Sequence, residues 1–271
     1  LERACFYGCE VSIFRRLCEL SGSTTLHEKN HGYSLLHFAA ARGWCNLIGE
    51  LLDQGYGLED YSVRRSTPLL EAVREGKLDA TKVLIGRGAD INVIDVSGWD
   101  VTHHACFGGH LEILKLIREH GLKTTHRVEV ESTILRAASC LHIAAFNGHS
   151  DILEYLLIHC GDSHSANEVA EDNITVLYVA VSGSFLDTVS TLIDYGADVE
   201  ISRNGKTPLH LASEQGLEDI TRLLLSAGAD LEKRDSKGYS PEVCALKAEQ
   251  HGVIKILREF HSRQGTCNCR N

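Results

Sequence analysis

The sequence predicts an all-α solenoid of about eight helix–turn–helix units joined by finger loops, with one longer finger near residues 122–139. Three observations carry this expectation. Alanines recur at Ala4, Ala39, Ala72, Ala105, Ala144, Ala180, Ala212 and Ala245, at intervals of 35, 33, 33, 39, 36, 32 and 33 residues. Four residues after most of them stands a glycine, at Gly8, Gly43, Gly76, Gly109, Gly148 and Gly216. About 16 residues after them stands another, at Gly55, Gly88, Gly121, Gly161, Gly196 and Gly228. Two glycine ladders in step with an alanine ladder mark one supersecondary unit repeated along the chain.

The elements of a unit follow in order from local chemistry. In RNGKTPLHLASEQGLEDITRLLLSAGADLEKRD, residues 203–235, Thr207 is a good N-cap and Pro208 suits the first helical turn, where no intrahelical N–H partner is lost. Leu209 and Ala212 share a face, and the small alanine lets a neighbouring helix approach closely. Gly216 ends the first helix at a position that tolerates a left-handed residue. A second amphipathic helix, DITRLLLSA, stops at Gly228, and an extended finger, ADLEKRDSKG, leads onward. No single unit can bury its apolar face; stacking supplies the core, with Leu209 and Leu224 expected inside.

Echoes of this unit begin at Gly32 (GYSLLHFAAARG), Arg65 (RSTPLLEAVREG), Gly98 (GWDVTHHACFGG), Ala138 (ASCLHIAAFNG), Asn173 (NITVLYVAVSG) and Gly238 (GYSPEVCALKA). The period, TPLHLA at 207–212 and GAD at 88–90, 196–198 and 228–230 resemble the ankyrin repeat, over about residues 1–260. The resemblance implies an array over 1–262 whose first unit is truncated, since Leu1 aligns with Leu36, Leu69 and Leu209 inside a first helix. Residues 263–271, RQGTCNCRN, read as a flexible tail. The resemblance also implies that His37, His103, His142 and His210, at one repeat position, hydrogen-bond backbone between units.

Composition narrows the function. A net charge of −10 argues against non-specific binding of nucleic acid or anionic membrane, both of which need Lys and Arg against phosphate. No apolar run reaches the roughly 18 residues of a membrane helix. Eight of the ten cysteines are scattered singly in a chain with ample other hydrophobic residues, and read as reduced thiols of a cytoplasmic or nuclear protein. Cys5 and Cys106 fall where Ala40 and Ala145 stand, and Cys244 aligns with Leu211, taken as a core position. The chain has no Met and opens in mid-unit, and is expected to be a piece of something longer.

Two motifs tempt and fail. HEKNH, residues 27–31, matches a zinc-hydrolase signature, but that chemistry needs His27 and His31 on one helical face, and the segment lies between units on a turning stretch. GKT at 205–207 ends like a phosphate loop, but the required glycine five residues earlier is Glu200. No catalytic residue, cofactor or metal is expected. NIT at 173–175 is a glycosylation sequon only in a secreted setting.

In ankyrin-like proteins the concave face is built from finger tips and the exposed side of the first helices. Projected here, it holds Tyr33, Arg42, Arg64, Arg74, Trp99, Phe107 and Phe146, rich in Arg and aromatics in a chain with 6% aromatic residues. Binding hot spots favour these types. A packing alternative sets Phe107 and Phe146 against neighbouring fingers and Trp99 over its own helix. VEVEST alternates and suggests a β-hairpin in the long finger; HCGDSHSANEVAED carries a second, shorter insertion. The expected function is a non-catalytic interaction scaffold or adaptor, a monomer or part of a larger chain, binding another protein or an extended peptide segment, with no nucleic acid and no membrane insertion. The alternatives are a regulatory part of a larger enzyme, ubiquitin-ligase subunit or ion channel, and more remotely a zinc hydrolase through His27 and His31.

Overall fold

A computed structural model describes residues 32–121, 128–129, 136–159 and 165–267. The repeat anchored at Ala4 and the HEKNH segment lie outside the described residues. The chain divides into two compact units, Leu1–Thr124 and Thr125–Asn271.

The first unit holds six described helices: α1 (Leu35–Arg42), α2 (Cys45–Asp53), α3 (Pro68–Arg74), α4 (Leu78–Gly86), α5 (Val101–Gly108) and α6 (Leu111–Glu119). The first helices of successive repeats form one row, α1 on α3 and α3 on α5; the second helices form another, α2 on α4 and α4 on α6. The second unit opens with a short antiparallel pair, β1 (Val128–Glu129) and β2 (Arg136–Ala138), irregular in register between Val128 and Glu129. This ladder lies in the long finger, where alternation suggested a hairpin. Helices α7 (Cys140–Asn147), α9 (Val176–Ser182), α11 (Pro208–Gln215) and α13 (Pro241–Lys247) form the row of first helices. Helices α8 (Ser150–His159), α10 (Leu186–Asp194), α12 (Glu218–Ser226) and α14 (His251–Cys267) form the row behind them.

The anchor alanines are the reason these rows pack. All seven from Ala39 to Ala245 are fully buried, beside Leu36, Leu69, Leu141, Leu177 and Leu209. Thr207 caps α11 by accepting from His210 N–H, with Pro208 behind it; Thr67, Thr175 and Ser240 do the same for α3, α9 and α13. Gly216 closes α11 at φ +75°. Where the fourth residue after the anchor is not glycine, Ser184 and Glu249 take the same left-handed turn, at φ +61° and +57°. The repeat geometry therefore overrides side-chain preference there.

One expectation needs correction. Leu211 is only half-buried, although Cys244 at the same repeat position is buried. One residue from the anchor turns about 100° around the helix, to the edge of the core face. Helix α14 runs to Cys267.

Three of the four repeat histidines link one repeat to the next. His37 Nε2 meets Ser66 O at 2.9 Å, His142 Nε2 meets Ile174 O at 3.1 Å and His210 Nε2 meets Tyr239 O at 3.0 Å. A carbonyl only accepts, so each Nε2 carries the proton. The Nδ1 atoms of His37 and His210 then accept from the backbone N–H of Ser34 and Thr207, at 3.1 and 3.2 Å. His103 differs, because its cap is Asp100: Nδ1 lies 2.7 Å from the carboxylate and must donate to it. Burial pushes the Asp100 carboxyl up, but His103, Thr102 and the backbone N–H groups outweigh it and hold it at about 2.

Candidate functional site

The candidate site is the edge of the first unit made by two fingers and the exposed sides of α1, α3 and α5. Each finger turns on a short polar side chain ten residues before its anchor. Asp95 Oδ1 accepts from Ser97 N–H at 2.8 Å and Trp99 N–H at 3.0 Å, while Oδ2 lies 3.0 Å from His104 Nε2. Ser62 Oγ takes the N–H of Arg64 and Ser66 in the neighbouring finger. In the second unit Asp235 repeats the device with Lys237 and Tyr239. The fingers are then joined edge to edge, Val96 N–H donating to Arg64 O at 3.0 Å.

This scaffold sorts the residues expected at the site. Tyr33 is half-buried; its hydroxyl donates to Glu71 Oε1 at 3.1 Å, and its ring packs on His37 and Phe38. Arg74 also bonds Glu71 and approaches Glu75 at 3.5 Å. Burial raises the Tyr33 phenol, and the charge of Glu71 raises it further. For Arg74, burial works against the charge, but Glu71 and then Tyr33 outweigh it and raise its pKa. Tyr33 and Arg74 therefore serve to neutralise Glu71, a carboxylate buried within α3. Trp99 lies over its own helix, with ring centroids 5.3 Å from His104 and 5.4 Å from Phe107.

Arg42 and Arg64 are exposed, and Phe107 keeps 47% of its surface open. Phe146, 40% exposed, belongs to the second unit. Phe107 and Phe146 share one repeat position, two residues after the anchor. That position is paired with the one six residues before the anchor: Trp99 with Phe107, Lys206 with Glu214 at 2.5 Å, and Lys247 over the Tyr239 ring at 3.5 Å.

Sequence reasoning missed Glu71, Asp95 and Arg65. Glu71 is buried among apolar residues of α3. Asp95 and Arg65 become legible once each finger is numbered back from its anchor.

Gly205 and Lys206 form a tight turn, Arg203 and Lys206 exchanging backbone hydrogen bonds at 3.0 Å, and Thr207 is the helix cap. In the sequon, Asn173 Nδ2 donates to Ser202 O at 2.9 Å. Among the described residues no group of three or more His, Cys, Asp or Glu is placed to hold a metal ion, and no helix is long and apolar enough to cross a membrane.

A family model for ankyrin repeats in three copies matches residues 1–95, 36–128, 73–163, 141–235 and 202–269. The chain belongs to the ankyrin-repeat family. Its fold is similar to the human ASB11 ankyrin repeat domain, with a TM-score of 0.72 and 28% identity over 83% of this chain and 98% of that one. It is also similar to the ankyrin repeat domain of Bcl-3, with a TM-score of 0.66 and 26% identity over 84% of this chain and 100% of that one. Curated relatives include a transient receptor potential cation channel subfamily A member 1 homolog of Caenorhabditis elegans, 29% identical over 62% of this chain and 16% of the relative. The target of rapamycin complex 2 subunit AVO2 of Saccharomyces cerevisiae is 28% identical over 76% of this chain and 48% of the relative. The human ankyrin repeat and SOCS box protein 16 is 28% identical over 84% of this chain and 51% of the relative. The chain thus spans about half or less of these relatives' length. Ankyrin repeats are protein-binding modules, and this array is an interaction domain.

Proposed function

We propose that the array is a non-catalytic scaffold or adaptor that holds a partner protein, through an extended segment, against the finger tips and first helices of its first unit. The observation that carries this reading is how the face divides. Tyr33 and Arg74 bond Glu71 and Trp99 packs over its own helix, while Arg42, Arg64 and Phe107 are exposed. A fixed surface with a few exposed Arg and aromatic anchors suits recognition, because little ordering entropy remains to be lost on binding. Cys106, Cys140 and Cys244 are buried free thiols, in keeping with a cytoplasmic or nuclear setting.

A second reading is favoured by the relatives, which include a channel and a SOCS box protein and are about twice this length or more. In it, the array is the regulatory part of a larger channel, ubiquitin-ligase subunit or enzyme, and the same face contacts its parent chain.

The test is a cross-linking pull-down from lysate with the wild-type array and an Arg42→Glu/Phe107→Ser variant of unchanged circular dichroism. A partner captured by the first and lost by the second supports the scaffold reading. A partner captured equally by both moves the site off this face. Capture by neither favours the second reading.

A further inference from the structure

One backbone position stands seven residues before the anchor alanine. In six fingers it is left-handed: Gly32 (φ +70°), Arg65 (+53°), Gly98 (+78°), Asn173 (+58°), Gly205 (+79°) and Gly238 (+77°). Four are glycine, and asparagine tolerates this region. Arg65 is the exception. Two of these turns are also crowded, at Gly205 and Gly32, while a Cβ on Gly238 would meet nothing within 4 Å. A Cβ on Gly205 would stand 2.6 Å from Ser236 N, and one on Gly32 would stand 3.0 Å from Val63 N. A long side chain here costs the fold something that glycine would spare. Folding therefore does not explain the arginine.

Charge points the same way. Arg64 and Arg65 are both exposed, and among the described residues no carboxylate pairs with either. The acidic groups of the two fingers are turned away: Asp60 buries one carboxylate oxygen, and Asp95 is occupied by Ser97, Trp99 and His104. Two unpaired guanidiniums side by side are conspicuous in a chain of net charge −10. Val63 and Val96 flank them, 64% and 60% exposed, on adjacent fingers joined through the Val96 N–H to Arg64 O bond.

Resting on the interaction reading above, we infer that Val63, Arg64, Arg65 and Val96 dock an acidic, extended peptide segment of a partner protein, its carboxylates on the two guanidiniums and its apolar side chains on the two valines. Guanidinium groups match carboxylates in a planar, two-bond geometry. Nucleic acid would meet the same cations, but the two valines offer nothing to a phosphate backbone.

The experiment uses fluorescence anisotropy with three labelled peptides of equal length, alternating Glu with Val, Glu with Ser and Lys with Val, and a single-stranded DNA oligonucleotide. The Glu–Val peptide is expected to bind most tightly and to weaken as salt is added. The Arg64→Glu/Arg65→Gly variant should lose about tenfold or more in affinity. Arg65→Gly alone should weaken binding with an unfolding midpoint equal to or above that of the wild type, which a purely structural arginine would not give. Equal affinity in the variants, preference for the Lys–Val peptide, tighter binding of DNA, or no binding of any probe each overturns the inference. The pull-down separates this from failure of the wider reading. If the Arg64→Glu/Arg65→Gly array still captures a partner that Arg42→Glu/Phe107→Ser loses, the finger tips are excluded and the scaffold stands.

Discussion

The finger at 62–66 in the first unit and the one at 203–206 in the second end in the same kind of turn, yet they dispose of their cations differently. In the second, Arg203 lies 3.8 Å from Asp172, and Lys206 Nζ bonds Glu214 Oε2 at 2.5 Å. In the first, Arg64 and Arg65 have no such partners among the described residues. The left-handed place is glycine in the second finger and arginine in the first. The backbone of a repeat is thus set by framework positions alone, and satisfaction of the tip is a separate matter decided by side chains the framework does not need. A surface whose charges answer one another offers a partner little; one that leaves them open has affinity to spend elsewhere.

The framework half of this comparison is tested by the largest expected effect. Leu69 and Leu209 occupy the same buried position in the two units. Leu→Ala at either should cost about 2–5 kcal/mol in urea denaturation. Native-state hydrogen exchange should show protection lost first in the repeat that carries the substitution. Equal loss in distant repeats would mean the array does not behave as a sum of neighbours.

The finger half is tested by exchange. Gly205→Arg puts a Cβ against the Ser236 backbone, and a strained left-handed residue there should cost about 1–3 kcal/mol. Arg65→Gly relieves the corresponding strain and should change stability by no more than about 1 kcal/mol, in the stabilising direction. Calorimetric melts that rank the two the other way would show that the turns are not equivalent.

These contrasts also mark what the sequence reveals. Anchors, caps and stops were legible because each is a local rule repeated: Thr207 with Pro208, Ala212 and Gly216 could be read without knowing what they touch. The helix-to-finger histidine bonds were legible through the family resemblance. The face was less so. Tyr33, Arg74 and Trp99 were expected on the binding face; the first two bond Glu71 and Trp99 packs on His104 and Phe107, and nothing local in the sequence shows that Glu71 is buried. The long finger's strand pair was visible in the alternation of VEVEST. Arg65 was readable in principle, as an arginine in a glycine column, but only when the column is counted backwards from the alanine.

The Glu71 cluster gives a smaller effect with a matched control. Arg74→Ala leaves a buried carboxylate that keeps its hydrogen bond from the Tyr33 hydroxyl. Full burial of a broken pair would cost several kcal/mol. The Arg74 side chain is 36% exposed, so water screens the pair and the loss should be about 1–2 kcal/mol. Glu214→Ala, which breaks the more open Lys206 pair of the second unit, should cost under about 0.5 kcal/mol. Similar losses at both sites would mean that Glu71 is not held by Arg74.

The smallest effect is a dependence on pH shared by both units. Burial holds the His37 and His210 imidazoles below their ordinary value of 6.5, the hydrogen bonds to Ser66 O and Tyr239 O opposing it in part. Protonation would place a hydrogen on Nδ1 and remove the acceptor for Ser34 N–H or Thr207 N–H. Between the lowered folded value and 6.5 the unfolded chain binds more protons than the folded one, so stability is complete above 6.5 and declines as pH falls below it. Asp100, at about 2 in the folded chain against an ordinary 3.8, adds a term that is complete above 3.8 and lost as pH falls through about 2. Melting followed by circular dichroism should therefore give a lower midpoint near pH 5 than near pH 7.5. His210→Gln should flatten that slope, because a glutamine has no proton to take up in this window. An unchanged slope in that variant would assign the pH dependence to groups other than the repeat histidines, and would leave their hydrogen bonds as fixed links between repeats rather than as the point at which acid loosens them.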